Sequence, residues 1–254
     1  VMLLAQLLSN PPASQSSVLG SSGMKSAAPG GRPSASEIDW PEMLRTARFY
    51  QLWLMFVLSA SAGLMLIMHV AIIAKEQAHV DRWGFWLVAL LALCNTLGRL
   101  LSGIISDRIG RSRTMLLAFI LQAINMFSFS YYTTPASILF GAAFTGLCYG
   151  GIFTLFPSTT ADFYGTRNLG VNYGLLFTAF GVAGVTGPYL GGKLRDIVGS
   201  YTLSYTVAAF MLLAGAALAL FLQGAGPVPG TPTASPRVPD REAHQEPHDI
   251  LRSV

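Results

Sequence analysis

Charge is scarce in this chain. Of 254 residues only 11% are Asp, Glu, Lys or Arg, where a soluble domain carries about 25%, and that deficit excludes an ordinary water-soluble globule. Cysteine is nearly absent. Cys94 and Cys148 both sit in apolar runs without metal-ligand spacing, so both read as small packing residues, and neither a disulfide nor a metal site is expected. No arrangement of nucleophile, base and acid makes a catalytic constellation, so no enzyme and no cofactor is expected. No cleavable signal peptide is visible, and residue 1 is Val1, not a methionine. The net charge of +4 needs no nucleic acid to explain it, because membrane topology accounts for it.

Apolar residues fill the space that charge leaves. They make up 52% of the chain, and the mean hydropathy is +0.51. Six runs, near 49–74, 83–105, 114–132, 137–158, 171–192 and 202–222, are long enough to cross a hydrocarbon core of about 30 Å. The loops between them leave no room for a soluble domain. With the stretch before the first span placed in the cytoplasm, eleven Lys and Arg fall on the cytoplasmic side, from Lys25 to Arg252, against four opposite, Lys75, Arg82, Lys193 and Arg195. That bias satisfies the positive-inside rule and puts both termini in the cytoplasm. The chain is therefore expected to be a multi-pass protein of the plasma membrane, with the lipid bilayer as its surroundings.

The flanks differ from the spans. VMLLAQLL runs into Ser9-Asn10-Pro11-Pro12 and reads as the end of a preceding transmembrane helix over 1–9. Residues 10–47, rich in Ser, Gly, Pro and Ala, read as a flexible cytoplasmic linker. Residues 48–222 form the expected six-helix bundle, and 223–254 a disordered cytoplasmic tail. On this reading the chain is a fragment.

Arg99 is the one charge inside the second run, WGFWLVALLALCNTLGRLLSGII. A guanidinium cannot shed its proton, and placing it in a membrane helix costs roughly 2.5–3.5 kcal/mol on insertion scales. Such a residue faces a watery cavity or an anion. Asn95 lies four residues earlier, on the same helix face, so the two side chains can grip one ligand. Glycines crowd the fourth span (Gly141, Gly146, Gly150, Gly151) and the fifth (Gly174, Gly181, Gly184, Gly187, Gly191, Gly192). Close helix packing explains them, while Pro157 and Pro188 add the capacity to bend that transporters use.

The run ends in Gly103-x-x-x-Asp107-Arg108-x-Gly110-Arg111-x-Arg113, which resembles the short cytoplasmic loop of the major facilitator superfamily. A closer resemblance, to its oxalate/formate antiporter family, rests on three segments. They are Glu42–Arg45 with Phe49, Leu52-Trp53, Gly63-Leu64-Met65 and His69; Asn95-x-x-Gly98-Arg99 with Ser106–Arg111; and Ala161–Gly174. The resemblance implies an all-α membrane protein, six transmembrane helices forming the C-terminal half of a twelve-helix fold whose N-terminal half is missing here. The six would divide into two inverted three-helix repeats. Gly103, Asp107, Arg108, Gly110 and Arg111 would form a loop that switches between states.

The same resemblance implies a site. Arg99 would bind a carboxylate with Asn95, and Tyr149 and His69 would complete the polar contacts. The position of Arg99 is also similar to the arginine of related monocarboxylate transporters, where an aspartate takes the place of Asn95. Asn95 cannot carry a proton, so His69 is the titratable candidate if protons are coupled. His69 reads equally as a packing residue, and counting along the helices puts it toward the opposite side from Arg99. Tyr149 and Phe153, four apart, read either as packing or as cavity lining. Where dicarboxylate antiporters of the family look to carry a lysine, this chain has Phe180. One arginine balances one negative charge, so the expected substrate is a monocarboxylate such as lactate, pyruvate or formate, carried by proton symport or anion exchange. An oxalate/formate antiporter is the alternative, and a six-span structural or receptor protein is the rival of another class.

Overall fold

The computed structural model describes residues 37–79 and 83–224, and among these every regular element is a helix. In chain order they are α1 (Trp40–Met43), α2 (Ala47–Ile67), α3 (Val70–Ala78), α4 (Gly84–Ile109), α5 (Arg111–Phe129), α6 (Pro135–Tyr164), α7 (Leu169–Val198) and α8 (Thr202–Gly224). Six of them, all but α1 and α3, are long and apolar enough to span a membrane. The end of a preceding helix expected at 1–9, the linker up to 36 and the tail from 225 lie outside the described residues.

Local chemistry sets the helix ends. The Thr46 hydroxyl accepts from the Phe49 N–H at the start of α2. Thr134 and Ser137 cap α6 reciprocally, with Pro135 in its first turn, where the missing N–H costs nothing. Gly110 ends α4 at φ 95° and Gly199 ends α7 at φ 77°, a region in which side chains with a Cβ are strained.

Two expectations are corrected. The first span is not one helix over 49–74, because it breaks at Met68–His69. In an unbroken helix the Met65 carbonyl would accept from the His69 N–H; instead it accepts from His69 Nδ1 at 3.0 Å. The His69 N–H is left to the Leu66 carbonyl, a tighter three-residue closure. The other correction concerns residues 37–47, expected to belong to the flexible linker. Ile38 and Met43 are buried, the Ile38 N–H donates to the Tyr164 carbonyl, and Asn172 Nδ2 donates to the Ile38 carbonyl. These contacts fasten the entry to α2 onto the ends of α6 and α7.

The spans interlock. α4 packs most extensively on α6, α5 on α8 and α2 on α7, followed by α2 on α8 and α5 on α6. Numbered as spans one to six, these pairs are 2–4, 3–6, 1–5, 1–6 and 3–4. Exchanging each span of the first three for its counterpart in the last three maps this set onto itself. That is the contact pattern of two inverted three-helix repeats. Polar side chains join neighbours inside the bundle, with Gln122 and Asn125 of α5 both donating to the Thr145 hydroxyl of α6.

The α4–α6 crossing is the tightest. A Cβ at Gly150 would collide with the Asn95 carbonyl, and one at Gly98 with the Leu147 carbonyl. By contrast Gly174, Gly181 and Gly184 of α7 have open space where a Cβ would sit. Gly150→Val is therefore expected to force the two backbones apart and destabilise the bundle by about 1–3 kcal/mol or more. Gly181→Ala is expected to stay within about 0.5 kcal/mol of the parent. Unfolding in mild detergent, followed by tryptophan fluorescence, compares the two.

Candidate functional site

Arg99 lies on the exposed side of α4, one turn beyond Asn95. Its Nε donates to Asn95 Oδ1 at 3.3 Å, so the two side chains are joined as their spacing predicts. The guanidinium carbon stands 4.8 Å from the centroid of the Phe153 ring on α6, an attraction worth about 0.5–2 kcal/mol depending on solvation. The Thr154 hydroxyl donates to the Arg99 carbonyl at 3.1 Å, which ties the same turn of α4 to α6. With Nε engaged, the two terminal nitrogens make no hydrogen bond or ion pair among the described residues. A carboxylate presented there could accept two parallel hydrogen bonds.

Beyond Phe153 the surface is aromatic. Phe153 meets Phe180 of α7 edge-on at 5.3 Å and Tyr149 at 5.4 Å. Phe180 stacks on Phe177 at 5.2 Å and leans toward Phe56 of α2 at 6.3 Å. Phe180, where a lysine would place a second cation, thus belongs to an apolar wall one ring away from Arg99. Tyr149 is 7% exposed, its ring packs where Gly63 leaves room, and its hydroxyl has no hydrogen-bond partner among the described residues. A buried hydroxyl without a partner costs about 1–3 kcal/mol.

Arg99, Asn95, Tyr149, Phe153 and Phe180 are thus brought together. His69 is not among them. It stands at the α2–α3 break, with its ring 5.5 Å from that of Tyr201 and against Gly191 and Gly192 of α7. Sequence reasoning had overlooked Phe56, Phe177 and Tyr173. Tyr173 lies 5.6 Å from Phe177, ring to ring. Their spacing on α7, at 173, 177 and 180, is that of one helical face, a signal that could have been used.

The α4–α5 loop holds a second constellation. Arg111 contacts Asp107 at 2.9 Å and Asp162, near the end of α6, at 3.4 Å, and its guanidinium also donates to the Ser106 hydroxyl. Arg108 is exposed in the last turn of α4, where a cation suits the helix dipole. Gly103 faces the Thr154 methyl across the crossing, and Gly110 makes the turn. Among the described residues no cluster of His, Cys, Asp or Glu could hold a metal ion.

Comparison with known proteins agrees with this architecture. The chain is 31% identical to the oxalate:formate antiporter of Oxalobacter formigenes over 71% of its own length and 44% of the relative's. It is 31% identical to YhjX of Escherichia coli (strain K12), described as an uncharacterized MFS-type transporter, over 57% and 36% of the two lengths. Over a shorter stretch, 35% of this chain and 14% of the relative, it is 42% identical to apicoplast pyruvate carrier 2 of Toxoplasma gondii. The chain thus spans less than half the length of these curated relatives. Residues 84–252 match the family model of the Major Facilitator Superfamily; with its six apolar helices in an inverted repeat, the chain belongs to that superfamily of membrane transporters.

Proposed function

We propose that the protein is a secondary active transporter of small carboxylate anions, and that it favours monocarboxylates such as lactate, pyruvate or formate. The reading rests on one observation: in a helix long and apolar enough to span a membrane, the Arg99 guanidinium is held through Nε by Asn95 and backed by an uncharged aromatic wall. A carboxylate would take the two terminal nitrogens, and a short apolar tail would lie against Phe153 and Phe180. Asn95 holds the guanidinium through its oxygen and keeps its amide N–H groups for the anion. Tyr149 offers a hydroxyl. The names of the relatives support the substrate class, one exchanging oxalate and formate and another carrying pyruvate.

Transport would proceed by alternating access, as proton symport or anion exchange, with a further six-helix half completing the cavity. The protein would lie in the plasma membrane with the α4–α5 loop in the cytoplasm. That loop would act as a switch, Arg111 releasing Asp162 as the inner end opens. The oxalate reading needs a second cation near Arg99, and Phe180 gives that wall an uncharged ring instead. A non-transporting structural or receptor role leaves the cost of Arg99 in the membrane without a return.

Two measurements on the full-length protein test the proposal. Arg99→Lys keeps the charge but loses the planar fork and its stacking face, so labelled lactate uptake into cells is expected to fall by at least about tenfold, the equivalent of about 1.4 kcal/mol. Arg99→Gln is expected to abolish uptake while the protein still reaches the membrane. Normal uptake by Arg99→Gln would make the arginine structural. The second variant, Phe180→Lys, returns a cation to the wall. Oxalate is then expected to compete at least about tenfold better relative to lactate, since opposite charge counts for most where water is scarce. An unchanged ratio would show that Phe180 does not select by charge.

A further inference from the structure

The loop motif has a counterpart at the other end of the molecule. Gly103-x-x-x-Asp107-x-x-Gly110 closes α4, and Gly192-x-x-x-Asp196-x-x-Gly199 closes α7 with the same internal spacing. Both final glycines terminate their helices with positive φ. α4 and α7 are the second spans of the two repeats and run in opposite directions. The two motifs therefore face opposite surfaces of the bilayer.

The charges around them also correspond. At the α4 end, Arg111 bridges Asp107 of α4 and Asp162 of α6. At the α7 end, Arg195 bridges Asp196 of α7, at 3.6 Å, and Glu76 of α3, at 2.5 Å. α6 and the α2–α3 pair are the first spans of their repeats, so each set ties a first span to a second span, through Arg111 at the start of α5 in one and through Arg195 of α7 itself in the other. All four carboxylates occupy the same register, two residues before the last residue of their helices. A carboxylate near a helix C-terminus is disfavoured by the helix dipole, and an arginine across each pair offsets that penalty. Half-exposed ion pairs are individually weak, which suits contacts that open and re-form.

The far-face set has one feature that the α4–α5 set lacks. Glu76 sits on α3, the short segment separated from α2 by the Met68–His69 break. No salt bridge other than that to Arg195 is formed by Glu76 among the described residues, and the Arg195 guanidinium also lies 6.0 Å from the Tyr201 ring, which in turn packs on His69 at the break. Arg195 thus connects the tip of α3 to its pivot through Tyr201.

We propose that Glu76, Arg195 and Asp196 form a latch at the face opposite the α4–α5 loop, the inverted-repeat counterpart of the Arg111 set, and that it holds α3 closed on α7. When the latch opens, α3 turns about Met68–His69 while α2 stays packed. The inference relies on the transporter reading only for the purpose of this movement, because the test measures distances and not transport.

The test uses the full-length protein in lipid nanodiscs, with Cys94→Ala, Cys148→Ala and the same replacement at any cysteine outside these 254 residues. Spin labels at Ile72→Cys and Ile197→Cys, both exposed, report on the far face. Labels at Ile109→Cys and Thr166→Cys report on the α4–α5 face. Arg195→Gln is expected to broaden the Ile72–Ile197 distribution and shift it outward by a few ångström, leaving the other pair as it was. Arg111→Gln is expected to act on the Ile109–Thr166 pair alone. Glu76→Gln, which leaves Arg195 in place, is expected to reproduce the far-face opening, and Glu76→Arg combined with Arg195→Glu to reverse it. Arg195→Lys, which preserves the charge, is expected to stay close to the parent. A change in both label pairs, or in neither, on breaking the Arg195 contacts would overturn the latch, as would failure of the exchanged pair to restore the closed distance.

Discussion

The carbonyl oxygens of Asn95 and Leu147 occupy the space that side chains at Gly150 and Gly98 would need, so α4 and α6 meet backbone to backbone. The rest of the site depends on that approach. Lipid tails are as apolar as leucine, so there is no hydrophobic drive to pair these helices, and close van der Waals contact has to supply it. The crossing also sets distances. Asn95 and Gly98 lie at the contact itself, and Arg99 is the next residue along. Tyr149 and Phe153 flank Gly150 on the other helix. A wider crossing would carry Phe153 away from the guanidinium and loosen the bond from Thr154 to the Arg99 carbonyl.

Electrostatics then limits what this arrangement can hold. A guanidinium stays charged at any accessible pH, so the site carries a permanent positive charge whatever the state of its ligand. Phe153 and Phe180 lower the local polarity around that charge and add no second one. The same arithmetic separates Arg99 from the arginines at the helix ends. Arg111 and Arg195 are met by carboxylates from this chain. Among the described residues Arg99 is met by an amide oxygen and an aromatic face, and neither neutralises it.

Much of this was legible in the sequence, and what was missed has a common cause. The six spans follow from the length of the apolar runs, and the Asn95–Arg99 bond from a spacing of four on a helix. These are local relations. The contact of Arg99 with Phe153 is not local, and no periodicity within either helix announces it. The break at His69 was hidden because the run from Phe49 to Ala74 carries no Asp, Glu, Lys, Arg or Pro to interrupt it; one side-chain hydrogen bond to Met65 marks it. The ends of α6 and α7 extend beyond the apolar runs because polar residues such as Asp162 and Arg195 continue the helix into the ion pairs. Residues 37–47 looked like linker by composition, yet two buried side chains, Ile38 and Met43, anchor them.

The exchange of helices between the two repeats has a consequence for how the chain is made. α4 finds its main partner in α6, and α2 in α7, so the first three spans complete little of their packing among themselves. Arg99 enters the bilayer with α4, whereas the Thr154 that binds its carbonyl is 55 residues further on. At synthesis rates of about 5–20 residues per second, that gap lasts about 3–11 s. For that interval the charge has neither Phe153 nor the turn of α6 beside it. The insertion machinery must therefore shelter a half-built bundle, with its arginine, until the fourth span arrives.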